Sequence, residues 1–257
     1  MAQDIILETQ GLTKEFRGFV AVRGVALRVR RGSIHALIGP NGAGKTTVFN
    51  LLTKFHAPTE GKILFNGADI THEKPAQTAR RGIVRSFQIS AVFPQLTVLE
   101  NVKIALQRKL GVEYRFWQSI AAMCKLDAPA MALLEQVGLA GFAALAAGDL
   151  PYGRKRTLEI ATTLALDPEL LLLDEPTQGM GHEDVDRVAQ LIKKVSQGRT
   201  ILMVEHNMGV VSTIADTITV LQRGAVLAEG PYAEVSKNPQ VMEAYMGTTE
   251  GQLQGAH

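Results

Sequence analysis

Gly39-Pro40-Asn41-Gly42-Ala43-Gly44-Lys45-Thr46-Thr47 matches the phosphate-loop pattern G-x-x-x-x-G-K-[ST] at every position. Gly39, Gly42 and Gly44 let the backbone bend without side-chain clash, so successive N–H groups can turn inward toward phosphate oxygens. Lys45 brings a cation to the β- and γ-phosphates, and the Thr46 hydroxyl suits Mg²⁺. Residues 34–38 (IHALI) read as a short buried strand, His35 apart. Residues 47–52 (TVFNLL) read as the first turns of a helix, whose N-terminal dipole favours an anion. The arrangement implies a nucleoside triphosphate.

A second signal lies further on. Residues 170–173 are four leucines, followed at once by Asp174-Glu175-Pro176. An apolar run of this length reads as a strand buried on both faces of a parallel sheet, delivering its terminal carboxylate to the edge where such ligands lie. Asp174 can hold Mg²⁺ there, usually through water, and Glu175 can reach an attacking water as general base. Gln88 ends a strand over 83–88. Its amide can touch Mg²⁺ or the water, or it is an exposed hinge residue. His206 follows the apolar run ILMVE and is either a donor to developing charge or a structural histidine. Phe16 sits between Lys14 and Arg17. It either stacks on adenine, worth about 1–3 kcal/mol by analogy with base stacking, or belongs to the core. His35, His56, His72, His182 and His257 have no metal-ligand spacing and read as structural or surface groups.

The rest of the chain organises around these segments. Residues 4–30 alternate apolar and polar (Ile5, Leu7; Val25, Leu27, Val29), the period-2 pattern of an antiparallel sheet with one face buried. A strand over 62–65 ends at Asn66-Gly67, a strong turn signal, and 75–81 reads as a helix. From 89 to 148 the pattern turns helical, with helices expected at 98–106, 116–125 and 130–137 and an exposed elaboration over 108–116. The α/β pattern then resumes. Helices are expected at 157–166, 184–195 and 210–215, a strand at 200–204, a hairpin around Arg223-Gly224, a C-terminal helix at 239–246 and a frayed end at 248–257. The expected fold is α/β: a P-loop NTPase with a RecA-like parallel core (1–88 and 149–235), an N-terminal antiparallel β subdomain, an inserted helical subdomain (89–148) and a C-terminal helix and tail (236–257).

Bulk composition narrows the class. A chain of 257 residues, 46% apolar and 20% charged, has the make-up of a globular protein rather than a disordered one. A net charge of +2 is too small to argue for nucleic acid. A single cysteine, Cys124, permits no internal disulfide and suits a reducing compartment. The opening residues MAQDIILETQ lack the basic n-region of a signal peptide, and no apolar run approaches the ~20 residues of a membrane helix. The expected location is cytoplasmic, with any membrane role exercised through a partner.

Taken in order, GPNGAGKTT, Gln88, LLLLDEP and Glu205-His206 resemble the ATP-binding subunits of ABC transporters across essentially the whole chain. SFQISAVFPQLTVLENV, RFWQS and the end VLAEGPYAEVSKNPQVMEAYMG resemble the larger ATPase subunit of branched-chain amino acid importers. The resemblance implies ATP and Mg²⁺ as ligands, with nucleotide contacts from Phe16, Val22 and residues 39–47 and metal contacts from Thr46, Gln88 and Asp174. It makes Gln88 the Q-loop glutamine, Glu175 the catalytic base and His206 the switch histidine. It implies a second ABC ATPase subunit as head-to-tail partner (another chain or a second copy), two transmembrane permeases and, indirectly, a periplasmic solute-binding protein. It implies no nucleic acid, and a peripheral place on the cytoplasmic face of the inner membrane. Pro151, Tyr152, Gly153 and Arg154 occupy the place of the signature, commonly LSGGQ, that faces the partner's ATP. Pro151 offers neither hydroxyl nor N–H, Arg154 replaces glutamine, and Gly181 stands at the usual D-loop aspartate. The site opposite this signature is therefore expected to be the weaker of two. Val92, Phe93, Leu96, Val98 and Leu99 either contact the permeases or pack in the core. Other solute classes (urea, amides, aromatic acids), lipopolysaccharide export and a soluble ABC protein acting on nucleic acid or ribosomes are the alternatives. The absence of Asn-Lys-x-Asp disfavours a GTPase.

Overall fold

Two sheets with one helix between them position the phosphate loop. The computed structural model describes residues 4–86, 92–109 and 125–245. The first sheet is built on β1 (Ile5–Phe16). Its C-terminal half pairs antiparallel with β2 (Phe19–Val25) and its N-terminal half with β3 (Arg28–Arg30). β4 (Ile34–Ile38) leaves for the second sheet, while β5 (Glu60–Phe65) returns to pair with β1 and turns at Asn66-Gly67 into β6 (Ala68–Asp69). The expected alternation holds for Leu7, Val25, Leu27 and Val29, all buried, but Ile6 is buried as well. A register shift between Ile5 and Leu7 turns successive residues inward, as bulges do.

The second sheet runs in the order β11 (Ala225–Gly230), β10 (Thr217–Gln222), β4, β9 (Thr200–Val204), β8 (Leu170–Asp174), β7 (Ile83–Ser86). It is parallel from β10 to β7, with β11 antiparallel on the edge. The four leucines of β8 explain themselves here. Leu170 and Leu172 enter the core shared with the first sheet and α1 (Lys45–Leu52). Leu171 and Leu173 enter the opposite core, against α5 (Tyr152–Leu164) and α6 (His182–Val195). On α1, Val48, Phe49, Leu51 and Leu52 are fully buried. Each contributes about 1.5–3 kcal/mol of burial, which holds the phosphate loop against both sheets.

Between β6 and β7 lies α2 (Pro75–Arg80), with proline in its first turn. α3 (Val98–Lys109) and α4 (Asp127–Val137) pack on each other and on α5. α3 starts at a reciprocal cap: Thr97 Oγ1 accepts from the Glu100 N–H at 3.1 Å, and Glu100 Oε2 accepts from the Thr97 N–H at 2.8 Å. Val98 is core, Val92 and Leu99 are partly buried against it, and Phe93 is 52% exposed. The hairpin of β10 and β11 leads to α8 (Tyr232–Val235) and a helical stretch over 239–245.

Some boundaries differ from expectation. The helix expected from 157 starts at Tyr152, because Pro151 caps it with φ −56° and Arg156 and Glu159 form a buried pair at 2.7 Å. α6 and α7 (Met208–Ile214) each begin two residues early. At α7 the Asn207 side chain accepts from the Gly209 and Val210 N–H groups at 3.0 and 3.3 Å. Gln88, the elaboration expected over 108–116 beyond residue 109, the helix expected at 116–125 up to residue 124 and the end over 248–257 lie outside the described residues.

Candidate functional site

Residues 39–44 link the end of β4 to α1. Gly39 and Gly44 have φ of 149° and 99°, and a Cβ at either would stand 2.2 Å from the Leu221 carbonyl or 2.6 Å from that of Ala21. These glycines serve close packing against β10 and β2 as well as the turn itself. Lys45 is 8% exposed and curls back, donating through Nζ to the carbonyls of Gly39 (2.7 Å) and Pro40 (3.0 Å). Burial lowers its pKa, and the charges of Glu175 and Asp174 oppose that shift.

A hollow of about 330 Å³ lies over the loop, lined by residues 41–47, Phe19, Ala21 and Glu175. The phosphate loop and the expected base thus share one concavity. Phe16 is not a core residue: it is 39% exposed, edge-on to His56, with Lys14 Nζ 5.0 Å over its ring. It does not line this hollow, whereas the 68% exposed Phe19 does. Val22 is fully buried, with its Cγ2 near Gly44, and reaches the site only by supporting the loop.

Asp174 is 2% exposed, and its Oδ2 pairs with Arg85 on β7. The other Nη of Arg85 donates to Asn50 Oδ1 at 2.7 Å. Glu175, next along the chain, has a left-handed φ of 45° and donates its N–H to the Val204 carbonyl at 2.9 Å. A non-glycine residue held there costs on the order of 1–3 kcal/mol, so its surroundings must hold it. Two buried groups do so. Arg156 on α5 donates to the carbonyls of Asp174 (2.7 Å) and Pro176 (3.3 Å). Glu205, fully buried at the end of β9, accepts from Thr177 N and Oγ1 (3.0 and 2.6 Å) through Oε1 and from the N–H groups of His206 and Asn207 (3.0 and 3.1 Å) through Oε2. One carboxylate therefore ties the segment after β8 to the segment carrying His206, whose side chain is exposed.

The residues expected to form the signature open α5, with Pro151 as N-cap. Tyr152 is 60% exposed and donates its hydroxyl to the Gln178 carbonyl at 3.2 Å. Gly153 faces the Asp184 carboxylate so closely that a Cβ would stand 2.5 Å from it. The Arg154 guanidinium lies 4.1 Å over the Phe142 ring, and Gly181 caps α6. His35, expected as the exception in its strand, is as buried as its neighbours, with Nε2 2.7 Å from Thr219 Oγ1. Its pKa is lowered to about 4, by burial first and then by Arg30. Among the described residues no group of three His, Cys, Asp or Glu side chains forms a metal cluster. A Mg²⁺ ion fits the residues present differently: Thr46 and Asp174 are hard oxygen donors beside the loop, of the kind Mg²⁺ takes together with substrate phosphates.

Sequence reasoning missed Phe19, Arg85 and Glu205. The first two carry no local signal. Glu205 stands beside the quoted His206, but its role depends on Thr177, 28 residues away in sequence.

A family model described as ABC transporter matches residues 22–178, and one described as branched-chain amino acid ATP-binding cassette transporter matches residues 225–251. The chain is 40% identical to the high-affinity branched-chain amino acid transport ATP-binding protein BraF of Pseudomonas aeruginosa, over 94% of this chain and 98% of that one. It is 39% identical to LivG of Escherichia coli, described in the same words, with the same coverage. A crystal structure of an ATP-binding cassette of an ABC transporter in its ADP conformation superposes with a TM-score of 0.82 at 29% identity, covering 95% of this chain and 99% of that one. A dimeric cassette in a post-hydrolysis state with ADP and Pi superposes with a TM-score of 0.73 at 26% identity, covering 88% and 98%. Among the described residues no helix is long and apolar enough to cross a membrane. The fold, the phosphate loop facing its carboxylates and these likenesses agree: the chain belongs to the ABC transporter family, as an ATP-binding protein of the branched-chain amino acid transporter type.

Proposed function

We propose that this chain hydrolyses ATP to drive an importer of branched-chain amino acids, or of closely related small solutes, as the descriptions of its relatives suggest. The carrying observation is that Lys45, Thr46 and Glu175 line one hollow, with Asp174 one residue away. The loop N–H groups and Lys45 hold the β- and γ-phosphates, Phe16 stacks on adenine and Val22 supports the loop from beneath. Thr46, Asp174 and Gln88 are the donors for Mg²⁺, which when bound neutralises phosphate charge. Glu175 takes the proton from the attacking water, and His206 donates to charge developing on the γ-phosphate.

The dimeric relative supports a pair, with a second ABC ATPase subunit or a second copy, which the family resemblance arranges head to tail. Pro151, Tyr152, Gly153 and Arg154 would then face the partner's nucleotide. Through Arg156 the same helix grips the Asp174–Pro176 carbonyls, so occupation of one site bears on the carboxylates of the other. With no hydroxyl at Pro151 and Arg154 stacked on Phe142, the site opposite this signature is the weaker one. The inserted helical segment of 89–148 would grip two transmembrane permeases at the cytoplasmic face, supplied by a periplasmic solute-binding protein. The test is Glu175→Gln in the assembled transporter. ATP binding is retained and turnover falls by about 10²-fold or more, in the range of general-base contributions. Sustained wild-type turnover in that variant refutes the assignment.

A further inference from the structure

Neither the phosphate-loop pattern nor the carboxylate pair asks for an arginine at position 85, yet one stands between them. The Arg85 side chain is 11% exposed and that of Asp174 is 2% exposed. One Nη pairs with the Asp174 carboxylate, and the other donates to Asn50 Oδ1 at 2.7 Å. Asn50 lies on α1 four residues beyond Thr46, one turn along the same face. The guanidinium sits 5.7 Å from the Phe49 ring, and its Nε has no hydrogen-bond partner among the described residues. One buried cation thus bridges the helix carrying Thr46 and the strand carrying Asp174, and neutralises one of those two oxygen donors.

Resting on the reading of Thr46 and Asp174 as the donors for Mg²⁺, we propose that Arg85 is a positioning residue that sets the Mg²⁺ requirement of nucleotide binding. A carboxylate this buried needs a counter-charge, and Arg85 supplies it when no metal is bound. The same positive charge, in contact with the carboxylate, repels a divalent cation approaching it. Arg85 therefore raises the Mg²⁺ concentration needed for binding. It also shields the triphosphate from the bare charge of Asp174 when Mg²⁺ is absent. Its loss acts in opposite directions on these two quantities, whereas a scaffold role would weaken nucleotide binding with and without metal alike.

The experiment uses the full chain, a fluorescent ATP analogue, a MgCl₂ titration and a parallel titration in EDTA, with thermal melts to confirm folding. In Arg85→Gln the half-saturating Mg²⁺ concentration falls about tenfold, while affinity in EDTA falls roughly threefold or more. Arg85→Lys keeps the buried charge but offers one contact where the guanidinium offers two. Its Mg²⁺ requirement lies roughly two- to threefold below wild type, and this variant decides the matter alone if the glutamine variant does not fold. A Mg²⁺ requirement that is unchanged or raised in the folded variants overturns the proposal, as does equal weakening with and without metal. Wild-type binding indifferent to Mg²⁺ overturns the donor assignment of Thr46 and Asp174 and this inference with it.

Discussion

Replacing Glu205 by glutamine keeps the shape of the side chain and removes half of its accepting capacity. In the native chain its two oxygens accept four hydrogen bonds, three of them from backbone N–H groups. A glutamine turns one oxygen into an NH₂ donor. Facing His206 and Asn207, that NH₂ leaves two N–H groups without an acceptor. Turned toward Thr177, whose hydroxyl can rotate to accept, it still leaves the Thr177 N–H without one. Glu205 is fully buried, so water does not substitute. Each orphaned buried donor costs about 1–3 kcal/mol, so the variant should lose about 2–4 kcal/mol of stability. For a chain of this size that is a drop in Tm of roughly 5–15 °C. Thermal and urea unfolding measure it directly. A double-mutant cycle with Thr177→Val isolates the link between the two segments and should return a coupling of about 1 kcal/mol or more. A loss under about 0.5 kcal/mol for Glu205→Gln, or additive effects in the cycle, would refute the view that this carboxylate joins the Glu175 and His206 segments.

Two further outcomes can be checked with the isolated chain. Lys45→Ala should abolish nucleotide binding yet leave Tm within about 4 °C of wild type, because the lost Nζ bonds to Gly39 and Pro40 are offset by relief from burying a cation; an unfolded variant would show that those bonds hold the loop. His35, with its pKa lowered to about 4, is neutral in the fold and costs nothing above pH 6.5, but it opposes folding increasingly as pH falls from 6.5 toward 4. Urea titrations of wild type and His35→Gln at pH 7 and pH 4 should therefore show a wild-type loss larger by about 3 kcal/mol, and parallel pH profiles would sink the assignment.

The phosphate loop, the run of β8, the hairpin at Arg223-Gly224 and the helices expected at 98–106 and 130–137, which run over Val98–Lys109 and Asp127–Val137, were all legible in the chain, because each shows in a pattern of residues near in sequence. Glycine at fixed offsets, an unbroken apolar strand and helical periodicity dictate local geometry whatever surrounds them. The start of α5 was less legible. The helix was expected only from 157, and its earlier turn is seen once Arg156 is found buried against Glu159 and the Asp174 and Pro176 carbonyls.

What the sequence determined by itself is the chemistry on offer: a phosphate loop, a carboxylate pair after a buried strand, and a signature without its serine. Only the tertiary structure decided how those groups are held. It put Phe19 rather than Phe16 at the rim of the hollow, drew Asp174 onto Arg85, stacked Arg154 on Phe142 and hung the segments of Glu175 and His206 on Glu205. The reason is physical. A motif constrains backbone over a few residues, but a buried charge takes whichever partner the packing of distant strands brings within reach, and that choice is made across the whole fold.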